Sequence, residues 1–343
     1  MKLGAMVGMQ GDPDGLARHV QHLEDSGVGY LWAGEAYTAD SVSTLGYLAA
    51  VTKRAQIGSS ILPIYSRTPT LLAMTAVGID NLSKGRFNLG IGASGPQVIE
   101  GFHGVPYDYP LARTREIIEV CRKVWRRERL EHDGSRYSIP LPEGRGTGLG
   151  KPLKIITPPI RERIPIYVAS LGPKNVEMTA EIADGWLPLH FWPDRAGDLW
   201  AGPLATGTAN RSPDLSPLEV AVGGALAIGD DVAHLRDLSR PMLALYFGGM
   251  GARDRNFYND VLKGYGYEKE AAQIQDLYLS GQKKEAAALV PGDLVDGMSL
   301  IGDEGFVRDR VSAYKDAGVT ILNVQPVGPN GTKDIETLAN WLA

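Results

Sequence analysis

Short apolar runs alternate with amphipathic runs along most of this chain. The apolar runs are rich in small and β-branched residues, which is typical of strands buried on both faces. The amphipathic runs repeat apolar residues every three or four positions, which is the spacing of one helix face. The apolar runs predict eight strands, Leu3–Met9, Tyr30–Ala33, Ile57–Leu62, Phe87–Ile91, Ile166–Ser170, Trp186–Phe191, Glu219–Ile228 and Val319–Pro326.

Helices are predicted between these strands, and a glycine repeatedly marks the junction. Helical spacing predicts helices over Asp14–Ser26 and, at the end of the chain, over Asp334–Leu342. Alternation of strands and helices in this number predicts an α/β fold, a (β/α)8 TIM barrel, with a doubly wound sheet as the alternative. The order helix tail, glycine, strand occurs in Asp25–Gly34, Leu82–Ile91, Glu181–His190 and Asp316–Gln325.

The stretch Ala55–Gly95 is predicted to fold as strand, helix and strand. Thr68 is the expected N-cap of the helix and Pro69 its first residue. The two strands end in small, backbone-exposing residues, Ser59–Ser60 and Gly92–Gly95. Because ligands bind at the carboxyl ends of strands in parallel α/β folds, we expect a ligand site here.

Three segments depart from the repeat. Residues near 130–163 predict a turn and a short strand, followed by a Gly/Pro-rich run. Residues near 193–217 are rich in Pro, Gly and Ala without periodicity, and residues near 247–297 are mostly helical in pattern. Long insertions in a compact domain are usually lids or binding elements. No linker separates two cores, so we expect residues 1–343 to form one domain.

Composition and charge limit the partners and the cellular location that we expect. The 343 residues are 43% hydrophobic and carry a net charge of −5, which argues against nucleic-acid and anionic-membrane partners. No apolar run approaches the length of about 18 residues that a membrane span needs, and the first residues lack a signal-peptide core. The single cysteine, Cys121, falls on the apolar face of a predicted helix and is interpreted as a core thiol. We therefore expect a cytoplasmic protein.

Gly90, Gly92 and Gly95 match the letters of the dinucleotide-binding fingerprint, but their context differs. They follow about the fourth strand, Pro96 comes next, and the clear helical run begins only near Leu111. A close approach of the backbone to a flat ring or a phosphate explains these glycines better.

Several polar residues stand at predicted strand ends. Gly172–Asn175 begins a helix directly after a strand, which favours either a phosphate site or an ordinary helix start. Glu35 ends the second strand, His103 lies in a loop, and His190 is interpreted as a core or rim histidine. The six histidines form no close metal-ligand pattern, so no metal site is predicted.

Four stretches of the sequence resemble a known superfamily of proteins. Through them the chain is similar to the bacterial luciferase-like superfamily and, within it, to the coenzyme F420-dependent oxidoreductases that include methylenetetrahydromethanopterin reductase. The resemblance implies a luciferase-like (β/α)8 barrel, generally homodimeric, with F420 as cofactor and FMN as the alternative. The stretches are Ser59–Pro96, Arg113–Arg126, Ile164–Pro188 and Ser299–Pro326.

The resemblance also implies site residues. A non-prolyl cis peptide is expected at Ser60–Ile61, with Ser59–Ser60 as the alternative register, against the deazaflavin ring. The glycine turn would lie beside the pyrimidine and ribityl portion, and the helix start would hold the phosphate. The implied cofactor-binding residues are Glu35, Ser59, Ser60, Ile61, Gly92, Ala93, Ser94, Gly95, Leu171, Gly172, Pro173, Lys174 and Asn175.

Two departures put the substrate in question. The reductase pattern has a glutamate where this chain has Met6, and the sugar-phosphate dehydrogenase relatives have a histidine where it has Ala36. Glu35, Tyr37 and His103 remain as candidate catalytic residues for proton transfer. The expected function is hydride transfer between deazaflavin C5 and a small organic substrate. The alternatives are an FMN-dependent monooxygenase that uses O2 and reduced flavin, and a non-catalytic barrel that binds a flavin or deazaflavin.

Overall fold

The computed structural model describes residues 1–8 and 11–342. Met9, the predicted end of the first strand, lies outside the described residues. The strands are β1 (Lys2–Val7), β2 (Tyr30–Ala33), β3 (Gln56–Ser59), β4 (Leu62–Pro63), β5 (Phe87–Gly92), β6 (His132–Asp133), β7 (Ser138–Ile139), β8 (Ile166–Ala169), β9 (Gly185–Trp186), β10 (Glu219–Ile228), β11 (Leu300–Gly302) and β12 (Ile321–Pro326).

In the part of the chain that the structure describes, fourteen α-helices connect these strands or follow them. A 3-10 helix, Ala233–Ser239, and a π-helical turn, Leu245–Gly249, flank α8. The helices are α1 (Pro13–Asp25), α2 (Ser41–Val51), α3 (Pro69–Leu82), α4 (Pro96–Gly101), α5 (Pro110–Trp125), α6 (Pro173–Ile182), α7 (Ala196–Ala209), α8 (Arg240–Ala244), α9 (Phe257–Gly264), α10 (Glu268–Leu279), α11 (Lys283–Ala288), α12 (Gly292–Met298), α13 (Glu304–Asp316) and α14 (Thr332–Leu342).

Parallel strands close into a barrel. The order runs β1, β2, β3, β5, β8, β9, β10, β12 and back to β1. The short strand β4 follows β3 in the chain and pairs in parallel with the end of β5. Every pairing in this ring is parallel, so all the strand carboxyl ends lie at one end of the barrel. The predicted (β/α)8 barrel is confirmed. The doubly wound alternative is wrong, because such a sheet has free edges whereas this one joins its ends.

Aromatic rings fill the amino-terminal part of the barrel. Trp32 stacks on Tyr30 with ring centroids 5.8 Å apart and meets Tyr167 edge-on at 5.1 Å. The Tyr167 hydroxyl donates to Glu219, whose other oxygen accepts from Lys2 Nζ at 2.8 Å. This plug closes one end, so the carboxyl ends of the strands are the place for a ligand. We call that end the mouth.

Several predicted strand boundaries are wrong. The predicted strand Ile57–Leu62 is interrupted, because β3 ends at Ser59 and β4 resumes at Leu62. The predicted strand Trp186–Phe191 shrinks to β9, Gly185–Trp186. His190, at the end of that apolar run, has a left-handed backbone with φ of 56°, which strand pairing does not allow. The sequence also missed β11, whose three residues are too few for a visible pattern.

The insertions contain more regular structure than predicted. Residues near 193–217 include the helix α7, although Pro203 lies inside it. Its small residues allow close packing: an ideal Cβ on Gly207 would come within 2.1 Å of the Glu177 carbonyl oxygen of α6. Packing therefore stabilises a helix that periodicity does not reveal. Residues near 130–163 form the antiparallel hairpin β6–β7, and residues near 247–297 are mostly helical, as predicted.

Two further expectations concern single elements. A helix, α4, begins directly at Pro96, so the expectation that helical structure starts only near Leu111 is wrong. Cys121 lies fully buried on α5, as predicted.

Among the described residues, no helix combines the length and the apolar character that a bilayer span requires.

Candidate functional site

The mouth brings together four segments that follow neighbouring or nearby strands. Glu35 follows β2, Ser60–Ile61 follows β3, Gly92–Gly95 ends β5, and Gly172–Asn175 follows β8. The β5 and β8 strands pair directly, with Gly92 opposite Ala169. The structure thus places the predicted cofactor-binding segments around one opening.

The end of β3 leaves the regular strand geometry between Ser59 and Leu62. The peptide bond between Ser60 and Ile61 is cis, which confirms the position that the resemblance implies. Ser60 stays attached to β2, since its N–H donates to the Ala33 carbonyl oxygen at 2.8 Å. Ser60 and Ile61 are both half-buried at the mouth.

Ser59 has a different environment from Ser60. Its fully buried Oγ donates to the Gly90 carbonyl oxygen at 2.7 Å and accepts from the Gly90 N–H at 2.8 Å. An ideal Cβ on Gly90 would lie 1.7 Å from the Ser59 carbonyl oxygen, so only glycine fits. The Ser59 side chain therefore joins β3 to β5. Direct contact with a cofactor stays a prediction for this residue.

The turn Gly92–Gly95 is partly open at Ala93, Ser94 and Gly95, whereas Gly92 is buried. Ser94 is left-handed, with φ of 58°, and its carbonyl oxygen accepts from the Tyr107 hydroxyl at 3.3 Å. Gly95 begins α4 without a side-chain cap, and an ideal Cβ there would meet no described atom within 4 Å. The open side of this turn can receive a flat group at close range.

Glu35 lies at the mouth in a buried ion pair. Its two oxygens accept from Arg67 at 2.5 and 2.9 Å, and Oε2 also accepts from the Ser41 N–H at 2.9 Å. The side chains of Glu35 and Arg67 are only 7% and 13% exposed. This carboxylate orients Arg67 and the start of α2. A role for Glu35 in proton transfer stays a prediction.

The other two candidate catalytic residues meet through Phe102. Tyr37 and Phe102 are exposed, with ring centroids 6.3 Å apart, and the His103 ring meets Phe102 edge-on at 5.3 Å. His103 Nε2 is buried and has no hydrogen-bond partner among the described residues. Tyr37 and His103 thus belong to one side of the mouth.

The start of α6 has the features of an anion site. Gly172 is the N-cap but supplies no side-chain hydrogen bond, and Pro173 is the first helical residue. The Leu171 carbonyl oxygen accepts from Trp200 Nε1 at 2.9 Å, which anchors this loop. Asn175 Oδ1 is buried without a partner in the described part of the chain. An uncapped helix start with its positive dipole end at a mouth favours a phosphate.

Lysine and arginine side chains near the mouth differ in availability. Arg67 is committed to Glu35, and Arg113 is committed to Asp108 at 2.7 Å. Lys174 is exposed, and its Nζ pairs with Glu177 at 2.8 Å on the surface. An exposed pair exchanges easily, so Lys174 is the cation best placed to turn to an anionic ligand.

The sequence did not identify the surroundings of His190 as part of the mouth. His190, interpreted as a core or rim histidine, is buried against Tyr246, Phe247 and Tyr258. Its Nε2 has no partner among the described residues. This group adjoins the mouth, because His190 follows β9 and every strand of the parallel ring ends there. The only signal in the sequence is a histidine directly after an apolar run.

Within residues 1–8 and 11–342, no group of three or more His, Cys, Asp or Glu side chains is arranged to hold a metal ion.

Comparison with known proteins shows the family of the chain. Residues 1–320 match the profile of the luciferase-like monooxygenase family. A Mycobacterium tuberculosis protein named "Putative coenzyme F420-dependent oxidoreductase Rv3520c" is 40% identical over 98% of this chain and 99% of its own length. The 5,10-methylenetetrahydromethanopterin reductase of Archaeoglobus fulgidus is 26% identical over 94% of this chain and 93% of its own.

The fold of the chain is also similar to that of a protein of known structure. The solved structure of the coenzyme F420-dependent tetrahydromethanopterin reductase from Methanopyrus kandleri superposes with a TM-score of 0.80 at 23% identity, covering 98% of this chain and 97% of that one. At that identity the likeness shows the fold, whereas the family assignment rests on the profile match and the 40% relative. The chain belongs to the luciferase-like monooxygenase family.

Proposed function

We propose that the protein is an F420-dependent oxidoreductase that transfers a hydride between the deazaflavin and a small organic substrate. The observation that carries this proposal is the pair of backbone-exposing turns on the adjacent strands β5 and β8, Gly92–Gly95 and Gly172–Asn175. The name of the 40% identical relative supports the choice of F420.

The residues present fit such a cofactor. At Gly95 and at Gly172, an ideal Cβ would meet no described atom within 4 Å, so a ligand can approach the backbone at both turns. Asn175 Oδ1 lacks a partner, and α6 lacks a side-chain cap. One turn therefore suits a flat ring, and the other suits a phosphate.

The chain itself would position and enclose the reactants. When bound, the deazaflavin supplies or accepts the hydride at C5. Ser60–Ile61 and Gly92–Gly95 would form the wall beside the ring, and the first turn of α6 would hold the phosphate through its N–H groups. The Glu35–Arg67 ion pair would keep the β2 and β4 loops in place around this wall. Correct placement of substrate and ring is the main contribution that a protein makes to such a transfer.

A titration tests the proposal. Purified protein is titrated with F420 and, separately, with FMN, and binding is followed by quenching of ligand fluorescence. We expect F420 to bind at least tenfold more tightly than FMN. The alternative function is an FMN-dependent monooxygenase, since the chain belongs to the luciferase-like monooxygenase family. Tighter binding of FMN, together with oxygen uptake in the presence of reduced FMN, would replace our proposal with that one. Binding of neither ligand would contradict both.

We also propose that the protein forms a homodimer through the outer face of α3. On this face the side chains of Leu71, Met74 and Leu82 are 46%, 55% and 65% exposed. The one charged residue of α3, Asp80, is turned inward and paired with Arg161 at 2.5 Å. An exposed helix face without charge is typical of a subunit interface, and a second copy is the partner that the sequence resemblance implies.

A further inference from the structure

A group of four aromatic rings beside the mouth has no role in the proposed function. His190 follows β9, Tyr246 and Phe247 lie in the π-helical turn, and Tyr258 lies at the start of α9. The His190 ring centroid is 5.0 Å from that of Tyr246, 4.8 Å from Phe247 and 5.7 Å from Tyr258. Tyr246 and Tyr258 are 4.8 Å apart. We call these four residues the His190 cluster.

The imidazole of His190 is neutral and incompletely paired. The residue is 8% exposed, and its buried Nε2 has no hydrogen-bond partner among the described residues. Burial lowers the pKa of His190 to about 3, so the ring carries no charge at neutral pH. Nearly all buried polar atoms in native proteins have a partner, so this exception needs a physical explanation such as a bound ligand or water.

The backbone of His190 is held in an unusual conformation by Tyr265. His190 is left-handed, with φ of 56°. The Tyr265 hydroxyl donates to the His190 carbonyl oxygen at 3.0 Å and accepts from the Trp192 N–H at 3.1 Å. A left-handed residue other than glycine persists where its surroundings hold it, and such residues concentrate at functional sites.

The backbone of Tyr246 is held in a comparable way from α9. Asn256 Nδ2 donates to the carbonyl oxygens of Tyr246 and Phe247, both at 3.0 Å. Asn259 Nδ2 donates to the Phe247 carbonyl oxygen at 2.9 Å. These amides satisfy carbonyls of the π-helical turn, and such turns occur frequently at functional sites. Two separate sets of hydrogen bonds thus fix the two sides of the His190 cluster.

The cluster lies at the mouth, because His190 follows β9 and every strand of the parallel ring ends there. Burial raises the pKa of Tyr246, and the nearby Tyr37 phenol raises it further. Burial also raises the pKa of Tyr258, with smaller contributions from Tyr246 and from Tyr107, whose hydroxyl bonds to the glycine turn. Among the described residues neither phenol makes a hydrogen bond, whereas the Tyr167 hydroxyl donates to Glu219.

We propose that the His190 cluster recognises the substrate, and that this substrate is a flat, uncharged molecule whose oxygen atom hydrogen-bonds to Tyr246 and His190. The inference rests on the proposed function and names its substrate class. The cluster consists of aromatic faces, which pack on flat molecules, and of neutral polar tips, which bind a carbonyl or hydroxyl oxygen. It contains no ionised side chain that would offset the cost of burying a carboxylate or a phosphate.

The test uses three probes of similar size. Acetophenone is flat and uncharged and carries a carbonyl oxygen, ethylbenzene lacks the oxygen, and benzoate carries a charge. Each probe is titrated by calorimetry into the whole chain, with and without saturating F420. We expect acetophenone to bind at least tenfold more tightly than benzoate, because the cluster is neutral and desolvated. Failure of the wild-type protein to bind acetophenone overturns the inference.

Three variants locate the binding. Tyr246→Phe removes only a hydroxyl, and we expect it to weaken acetophenone about fivefold to tenfold while leaving ethylbenzene unchanged. His190→Asn keeps a residue that tolerates the left-handed backbone and should weaken acetophenone by a similar factor. Tyr267→Phe is the matched control, because it removes a hydroxyl bonded to Asp293 on the exposed surface. It should change neither affinity.

The same samples are titrated with F420, which separates the two proposals. If wild-type protein fails to bind F420, the proposed function fails, whatever the probes show. If F420 binds, equal loss of F420 and acetophenone affinity in Tyr246→Phe would overturn the inference, since the cluster would then belong to the cofactor site. Unchanged acetophenone affinity in both Tyr246→Phe and His190→Asn would overturn it as well.

Discussion

Glu35 and Arg67 form a two-point ion pair at the mouth, with oxygen–nitrogen distances of 2.5 and 2.9 Å. Glu35 lies just after β2, and Arg67 lies just before α3, so the pair joins two loops that border the predicted cofactor wall. Both side chains are nearly enclosed by protein. Each charge is therefore stabilised mainly by the other.

Glu35→Gln removes one charge of this pair. We expect the free energy of unfolding to fall by up to about 3 kcal/mol, because the buried Arg67 would keep only the more exposed Asp40 carboxylate, 3.7 Å away, as a counter-ion. Urea denaturation at neutral pH measures this change. The matched control is Asp25→Asn, which breaks the exposed pair between Asp25 and Arg54, and this variant should lose less than about 1 kcal/mol.

The same variant bears on the chemistry of Glu35. If Glu35→Gln keeps the stability of the wild type but loses turnover, the carboxylate is a proton-transfer group and its pairing with Arg67 is secondary. If stability falls while F420 binding survives, the ion pair is structural.

Ser59→Ala should destabilise the barrel at the junction of β3 and β5. The Ser59 hydroxyl makes two hydrogen bonds with Gly90 in a fully buried place. Their loss leaves polar groups of Gly90 without this partner, which costs about 1–3 kcal/mol. Thermal and urea unfolding check the prediction. A variant with wild-type stability and weaker F420 binding would show that the hydroxyl contacts the cofactor.

Because of Glu116, the stability of the folded protein should depend on pH in the acid range. Burial alone would raise the pKa of Glu116, but hydrogen bonds from Ser135, Tyr137, His132 and Arg136 outweigh it, and the pKa falls below its ordinary value of 4.5. The unfolded chain therefore takes up a proton first as the pH falls. The stabilisation by the ionised carboxylate is complete above about pH 4.5 and is lost as the pH falls through the folded-state pKa.

Glu116→Gln measures this contribution. At pH 7 we expect the variant to be less stable than the wild type by about 2 kcal/mol, since charge-assisted hydrogen bonds to the β6–β7 hairpin are lost. The difference should shrink steadily in urea titrations below pH 4.5. Glu119→Gln, one turn away at a half-exposed carboxylate, is the control and should show little change at any pH. A difference for Glu116→Gln that is independent of pH would contradict the assignment.

Leu71→Glu tests the proposed dimer. A carboxylate on the uncharged α3 face would have to be buried in the interface, so the variant should be monomeric where the wild type is dimeric. Light scattering after size-exclusion chromatography gives the mass of each. Leu238→Glu places the same charge at an exposed leucine outside α3 and should leave the mass unchanged. Equal masses for wild type and Leu71→Glu would exclude this face.

The regular part of the fold was predictable because its signals are local. Thr68 accepts from the Leu71 N–H at 3.2 Å and begins α3 at Pro69, as predicted. The glycines Gly27, Gly85 and Gly318, which end helices, all have positive φ. The helix α7 was not predictable, because its sequence lacks helical periodicity and its close contact with α6 at Gly207 appears only in the folded chain.

The position of the site was predictable from the sequence, but the partners of its side chains were not. Strand ends identify Ser60–Ile61, Gly92–Gly95 and Gly172–Asn175 because a parallel barrel brings all such ends to one opening. The partners of each side chain depend on tertiary packing, so the capture of Glu35 by Arg67 could not be read from the sequence. The same holds for the His190 cluster, whose tyrosines lie more than 50 residues further along the chain.

Gly172→Asp separates a phosphate site from an ordinary helix start, because its two effects have opposite signs. Gly172 has an extended backbone and open space at its Cβ, so Asp fits and can cap α6. Stability should rise by about 0.5 kcal/mol. The new carboxylate would compete with a phosphate for the same N–H groups, so F420 should bind at least tenfold more weakly by fluorescence titration. Gly172→Ser caps without charge and should weaken F420 less. F420 affinity in Gly172→Asp equal to that of the wild type would show that the phosphate lies elsewhere.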